Sequence, residues 1–296
     1  MQRKIAKVMA YALAGLVALL GLVVLGAIIF VQGDRLAGIV NGVLPAMKGS
    51  LHFGAIRWKP RLLVDLLADR PTPMVVDGLR ITDPEGTVVL DVPHLEVAVK
   101  LKTLIAGGGI ILSDLKVGPK SVWRFSKMTK LKGIGFLDAF DPKHPAPPPP
   151  PPPPGAKKEK GFVFQIVNAD LNGFRAIFDF PGVWGLDLRD IHAPASVLVD
   201  GEGFVGFDVV GLDAREGGYL MVMDQVLPFD SVLVDRVATT REWSDDIFLD
   251  LRQAKTGRSE LLGKGFFTGI YGANSVGGIK IHAEFAHAAD ALTAVA

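Results

Sequence analysis

Residues 78–101 read GLRITDPEGTVVLDVPHLEVAVKL, and where their apolar side chains go decides the fold. Leu79 and Ile81 alternate with polar neighbours, Asp83-Pro84-Glu85-Gly86 supplies a turn, and Val88, Leu90 and Val92 alternate on the return. That pattern predicts a β-hairpin. After Pro93 the phase slips by one residue and resumes as Leu95, Val97, Val99 and Leu101 against Glu96 and Lys100, predicting a third strand with one apolar face. A one-sided sheet must bury that face against a second sheet, against helices or against an apolar ligand.

The same texture extends in both directions. GSLHFGAIRW from Gly49 to Trp58 and GGIILSDLKVGPKSVWRF from Gly108 to Phe125 read as strands, while Pro60 to Arg70 fits a helix and a buried strand equally well. Beyond residue 161, Phe162, Phe164 and Ile166 share a face, and Phe174, Ala176, Phe178 and Phe180 share another, opposed by Arg175 and Asp179. Val205 to Val209, Ile247 to Leu251, and Ile279, Ile281, Ala283 and Phe285 repeat the alternation, with glycine-containing turns between them. The expectation is a mainly β chain: a long antiparallel meander with few helices to cover it.

Two segments depart from this texture. Val8 to Val31 carries no charge, long enough at ~1.5 Å per residue to cross a hydrocarbon core of ~30 Å. Arg3, Lys4 and Lys7 precede it, which predicts a transmembrane anchor with a cytoplasmic N-terminus and an exported remainder. A short amphipathic helix follows, with Leu36, Ile39, Val40, Val43 and Leu44 on one stripe that stops at Pro45. The other departure is His144 to Gly161, HPAPPPPPPPPGAKKEKG, whose uninterrupted prolines read as a polyproline rod of roughly 25 Å. The expected organisation is therefore an anchor (1–32), a helix (33–46), a first sheet portion (47–143), a proline-rich linker (144–161) and a second sheet portion (162–296).

Composition excludes several classes of function. A net charge of +1 gives no electrostatic reason to expect nucleic acid, and zero cysteines remove disulfides, thiol chemistry and Cys-based metal sites. His52, His94, His144, His192, His282 and His287 form no metal-binding spacing. Gly257 to Lys264, GRSELLGK, has the wrong spacing for a phosphate loop and reads as a turn. Asp245 and Asp246 are adjacent, so in a strand they would point to opposite faces. Trp58, Trp123, Trp184 and Trp243 are scattered and read as core or rim. No catalytic constellation and no cofactor is expected.

The anchor, the short helix, GSLHFGAIRW, the hairpin and LKTLIAGGGIILSDLKVGP resemble the start of the AsmA-like proteins, the bacterial group that includes AsmA, TamB and YhdP. The resemblance covers about the first 120 residues; residues 161–296 are similar only in texture. It implies a chain held in the inner membrane that extends into the periplasm as a long curved sheet with an apolar groove. The implied partner is phospholipid, moved toward the outer membrane, with a link to outer-membrane biogenesis. The groove residues expected are Leu79, Ile81, Val88, Leu90, Val92, Leu95, Val97, Val99, Phe174, Phe178 and Phe180, continued by Ile279, Ile281 and Phe285. The alternative is an assembly factor that lends a strand edge to outer-membrane proteins. Roughly twenty strands at ~4.8 Å would extend on the order of 90 Å. An open edge at Gly278 to Phe285 is expected, with further sequence or a partner completing the groove.

Overall fold

The computed structural model describes residues 32–43, 47–59, 61–105, 109–141, 143, 163–199, 205–222, 225–239, 247–257, 259–267, 277–278 and 283–284. The expected anchor, the proline-rich stretch, Trp243, Asp245, Asp246, Ile279, Ile281 and Phe285 lie outside them. No helix among the described residues is long and apolar enough to cross a membrane.

Helix α1 (Asp34–Val43) is followed by β1 (Ser50–His52), β2 (Ala55–Trp58), α2 (Leu62–Leu67), β3 (Thr72–Thr82), β4 (Val88–Val99), α3 (Leu101–Ile105), β5 (Gly109–Val117), β6 (Val122–Ser126) and α4 (Gly135–Asp138). After the proline-rich stretch come β7 (Val163–Phe180), β8 (Trp184–Val199), β9 (Val205–Ala214), β10 (Gly218–Val222), β11 (Gln225–Phe229), β12 (Ser231–Thr239), β13 (Ile247–Thr256) and β14 (Ser259–Phe267). Two short strands, β15 (Gly277–Gly278) and β16 (Ala283–Glu284), pair with β14. All sixteen described strands form a single sheet, so the portions before and after the prolines are continuous.

Three expectations are corrected. The hairpin and the third strand of the opening stretch are only two strands: β4 continues through Pro93, and Leu101 starts α3. The phase slip is real, but it is absorbed within the ladder. Asp77 pairs with His94 and Leu79 with Val92, so Pro93, which has no N–H to offer, lies opposite Gly78 at φ +65°. Likewise, the apolar runs that continue through 163–166 and 174–180 are one 18-residue strand, β7 (Val163–Phe180).

The meander is also not wholly antiparallel. β5 and β6 lie end to end between β4 and β7 and pair with β7 in parallel, from Gly109 opposite Val163 to Ser126 opposite Asp179. Parallel neighbours need a crossover of a dozen or more residues. Only the long proline-rich connection is of that length, which periodicity within strands does not reveal. The ambiguous segment 60–70 contains the short helix α2.

Phase slips recur across the sheet, and left-handed residues accompany them. On the apolar face Val76 is followed by Leu79 across Gly78, Leu112 by Leu115 across Asp114 (φ +50°), and Leu171 by Phe174 across Gly173 (φ +68°). Leu188 is followed by Ile191 across Asp190 (φ +49°), and Val209 by Leu212 across Gly211 (φ +61°). An extra residue in a strand would turn every later side chain to the wrong face. A bulge or a left-handed residue at the slip restores the face.

The glycines provide a stability test. A Cβ at Gly211 meets nothing within 4 Å, so Gly211→Ala adds only the left-handed backbone penalty, about 1–2 kcal/mol. A Cβ at Gly218 would fall 1.7 Å from the Asp187 carbonyl oxygen across the β8–β10 ladder. Gly218→Ala should lower the urea midpoint clearly further than Gly211→Ala; equal midpoints would contradict this register.

Candidate functional site: the apolar face

Antiparallel partners project to the same side of a sheet, so the register assigns the faces. Met74 and Val97, Val76 and Leu95, Leu79 and Val92, and Ile81 and Leu90 are partners on β3 and β4. On the far side, Val209 partners Val237 and Ala195, Val237 partners Leu249, and Val232 partners Ala254, which partners Leu261. Apart from Ile81, these residues belong to one cluster that begins at Leu36 and Ala37 of α1 and ends at Leu261 of β14. Each fully buried aliphatic side chain contributes about 1.5–3 kcal/mol, so the face is the main source of stability.

Helix α1 covers the start of this face. Gly33 and Ile56 exchange backbone hydrogen bonds of 2.7 and 3.1 Å. Asn41 binds Phe53 twice, its Nδ2 donating to the carbonyl at 2.9 Å and its Oδ1 accepting from the N–H at 3.0 Å. These contacts hold Leu36 and Ala37 against Ile56, all three buried.

At the turn end of β3 and β4 the lining becomes aromatic. The Trp123 ring meets Phe125, Phe136 and Phe178 edge-on at centroid distances of 5.7, 5.6 and 5.5 Å. Trp184 stacks on Phe180 at 5.0 Å and on Phe178 at 5.9 Å. The Nε1–H of Trp123 is buried without a hydrogen-bond partner, as is the Oγ1 of Thr72 opposite Val99. Helix α4 contributes Phe136, and Ala139, which caps the helix, packs with Ile81 and Val89 in a smaller cluster.

Most of the expected lining is therefore brought together. Leu79, Leu90, Val92, Leu95, Val97, Val99, Phe174 and Phe178 lie in the main cluster or pack against it. Ile81 lies in the smaller cluster under α4, and Phe180 in the aromatic row. Val88 is corrected: a register shift after Ile81 turns it out at 40% exposure and buries Val89 instead. The tryptophans are the larger omission. The alternation of Trp123 with Phe125 was readable, but only the parallel β6–β7 ladder places it beside Phe178.

The opposite face is polar and built from ion pairs. Arg57 pairs with Asp77, which also accepts from His94 at 2.8 Å. Arg236 forms a two-pronged contact to Asp208 at 2.9 Å, and Lys264 lies 3.1 Å from Asp250. Such exposed pairs each contribute about 0–1 kcal/mol; their effect is to keep this face in water. Asp187 is the exception, fully buried between Arg175 at 2.8 Å and Arg189 at 2.9 Å. Burial pushes its carboxyl up, but the hydrogen bonds and charges of the two guanidinium groups outweigh this and hold it below the usual range.

Among the described residues, no three His, Asp or Glu side chains gather as a metal site. Asp83 and Asp187 are the buried carboxylates there, and neither belongs to the apolar clusters: Asp83 accepts from the N–H groups of Glu85 and Thr87 in the β3–β4 turn. Comparison with protein-family models, with curated proteins and with solved structures found no match.

Glu85 ties that turn to the loop before α4. Its carboxylate accepts from the backbone N–H groups of Leu131, Lys130 and Thr129 and from the Thr129 hydroxyl. Chiefly through the Leu131 contact, and against the opposing effect of desolvation, its pKa falls from 4.5 to about 2. A depressed carboxylate stabilises the fold above its unfolded pKa, and that contribution is lost as pH falls from about 4.5 through about 2. Glu85→Gln should flatten the dependence of the urea midpoint on pH across that window; an unchanged slope would show that the clamp is not formed in solution.

Proposed function

We propose that the chain is a membrane-anchored periplasmic protein whose apolar face is a groove for phospholipid acyl chains, serving lipid movement between inner and outer membrane and outer-membrane biogenesis. The observation that carries this reading is the continuity of one apolar cluster from Leu36 to Leu261, while the other face bears the ion pairs. The resemblance of the first 120 residues to the AsmA-like proteins points the same way, as does the uncharged run Val8 to Val31.

The physics of such a groove is simple. An acyl chain must be nearly as well accommodated at one rung as at the next, so that it can move in small steps, and aliphatic residues on successive strands provide this. A charge set into the lining would interrupt the path, since burying it unpaired costs several kcal/mol. The headgroup stays in water, so no side chain performs chemistry and the reading is of a non-enzyme without a cofactor.

The full chain purified in a mild detergent should carry phospholipid detectable by mass spectrometry. Photo-reactive residues at Leu90 and Val97 should capture lipid, whereas one at Val88 should capture little. Val97→Asp should reduce bound lipid severalfold while the far-UV dichroism keeps its β signature. Absence of lipid together with no capture at Leu90 or Val97 would sink the groove reading. Capture of outer-membrane proteins at backbone edges in place of lipid would favour strand-edge assembly instead.

A further inference from the structure

We propose that the end of the sheet where β6, β7 and β10 finish is a docking rim for an anionic phospholipid bilayer. Leu131, Leu137, Phe140 and Val183 enter the interface, and Lys127, Lys130 and Lys132 meet the phosphate groups. The inference needs a bilayer within reach, not an acyl chain on the apolar face, so it and the groove reading fail separately.

Register brings these side chains to one end. Ile81 partners Leu90, which partners Trp123, and Ser126 lies opposite Asp179. Phe180 partners Trp184, which in turn partners Val222. The β3–β4 turn, residues 127–134, the β7–β8 turn and the end of β10 therefore leave the sheet on the same side. Val183, on the β7–β8 turn, is 62% exposed, and Val222 and Val226 are exposed beside the end of β10.

The loop after β6 is built to project. Lys127 bridges to Ile134 and the Met128 N–H donates to the Gly133 carbonyl at 3.1 Å, which leaves Lys130-Leu131-Lys132 at the tip. Glu85 accepts from the N–H groups of Thr129, Lys130 and Leu131 and so fixes that tip to the β3–β4 turn. Leu131 is 49% exposed there, and Lys127, Lys130 and Lys132 are exposed around it. The neighbouring carboxylates are set back. Asp83 is buried, Glu85 is engaged by its donors, and the half-buried Asp138 lies over Gly133. Just beyond, Leu137 and Phe140 are exposed, the Phe140 ring resting edge-on against Phe136 at 5.5 Å.

This chemistry fits a bilayer better than a protein. Apolar side chains on separate projecting turns, with lysines beside them, can each sink to the boundary of headgroups and acyl chains while the ammonium groups stay among phosphates. A bilayer accepts such tips wherever they fall along one line, whereas a protein partner would need a pocket for each. The stacked Trp184 and Phe180 lie at the same end, and tryptophan favours the headgroup level of a membrane. Lysines as the outermost charges select an anionic surface.

The chain contains no cysteine, so one fluorophore can be placed at a time. In the full chain, Leu131→Cys, Phe140→Cys and Val183→Cys would each carry an environment-sensitive NBD probe, in phosphatidylcholine vesicles with and without phosphatidylglycerol. Leu67→Cys, 85% exposed near the other end of β3, and Val210→Cys, exposed on the polar face, serve as controls. With phosphatidylglycerol the rim probes should shift to the blue and be quenched by spin-labelled lipid, and the controls should not. Each of Lys127→Gln, Lys130→Gln and Lys132→Gln should lower the docked-to-free ratio about fivefold, equivalent to ~1 kcal/mol per lysine at an anionic surface, with thermal unfolding unchanged. Failure to capture lipid at Leu90 and Val97 would leave these rim signals standing. Equal quenching at Leu67 or Val210, no quenching at the rim, or rim quenching that neither phosphatidylglycerol nor the lysine substitutions alter would overturn the inference. So would a blue shift that appears without lipid and grows with protein concentration, which would assign the rim to a second copy of the chain.

Discussion

The constraint on which the rest of the structure depends is that apolar side chains must stay on one side of a sheet that is interrupted many times. Alternation alone would fail at the first extra residue. At each slip a bulge or a left-handed backbone restores the phase, as at Gly78, Asp114, Gly173, Asp190 and Gly211. Slips on neighbouring strands also face one another. Gly78 faces Pro93, and the shift at Asp114 falls beside the shift between Ile166 and Ala169, because Leu112 pairs with Ile166 and Leu115 with Ala169. Matched irregularities let a kink run across several strands without breaking the ladder.

Keeping the face intact separates two environments along the length of the sheet. On one side aliphatic residues dominate, becoming aromatic where β6, β7 and β8 meet α4. On the other, carboxylates and guanidinium groups pair in the open, with Asp187 the one member among the described residues taken fully out of water. The charged side contributes little net stability, and its opposite has to supply most of it. That asymmetry is the ground for proposing an apolar ligand on the face.

The joint between the two portions of the sheet is its unusual point. β5 and β6 together match the length of β7, and their parallel pairing needs a connection that travels back along the whole strand.

What the sequence determined by itself was the alternation. Two-residue periodicity marked β3, β4, β5, β9, β13, parts of β7 and most of the lining from Leu79 to Val99, because face and pattern are the same fact for an isolated strand. Turn residues marked Asp83 to Gly86 and a helical stripe marked α1, whereas β8 and β12 were not read and Ser259 to Lys264, expected within a turn, belong to β14. Only the tertiary structure decided what depends on pairing between distant segments. The direction of β7, the joining of residues 88–99 into one strand through Pro93, the outward turn of Val88 and the meeting of Trp123 with Phe178 are of this kind. Each is fixed by register with a partner strand, and a strand's own residues carry no record of which neighbour it will meet or at what offset.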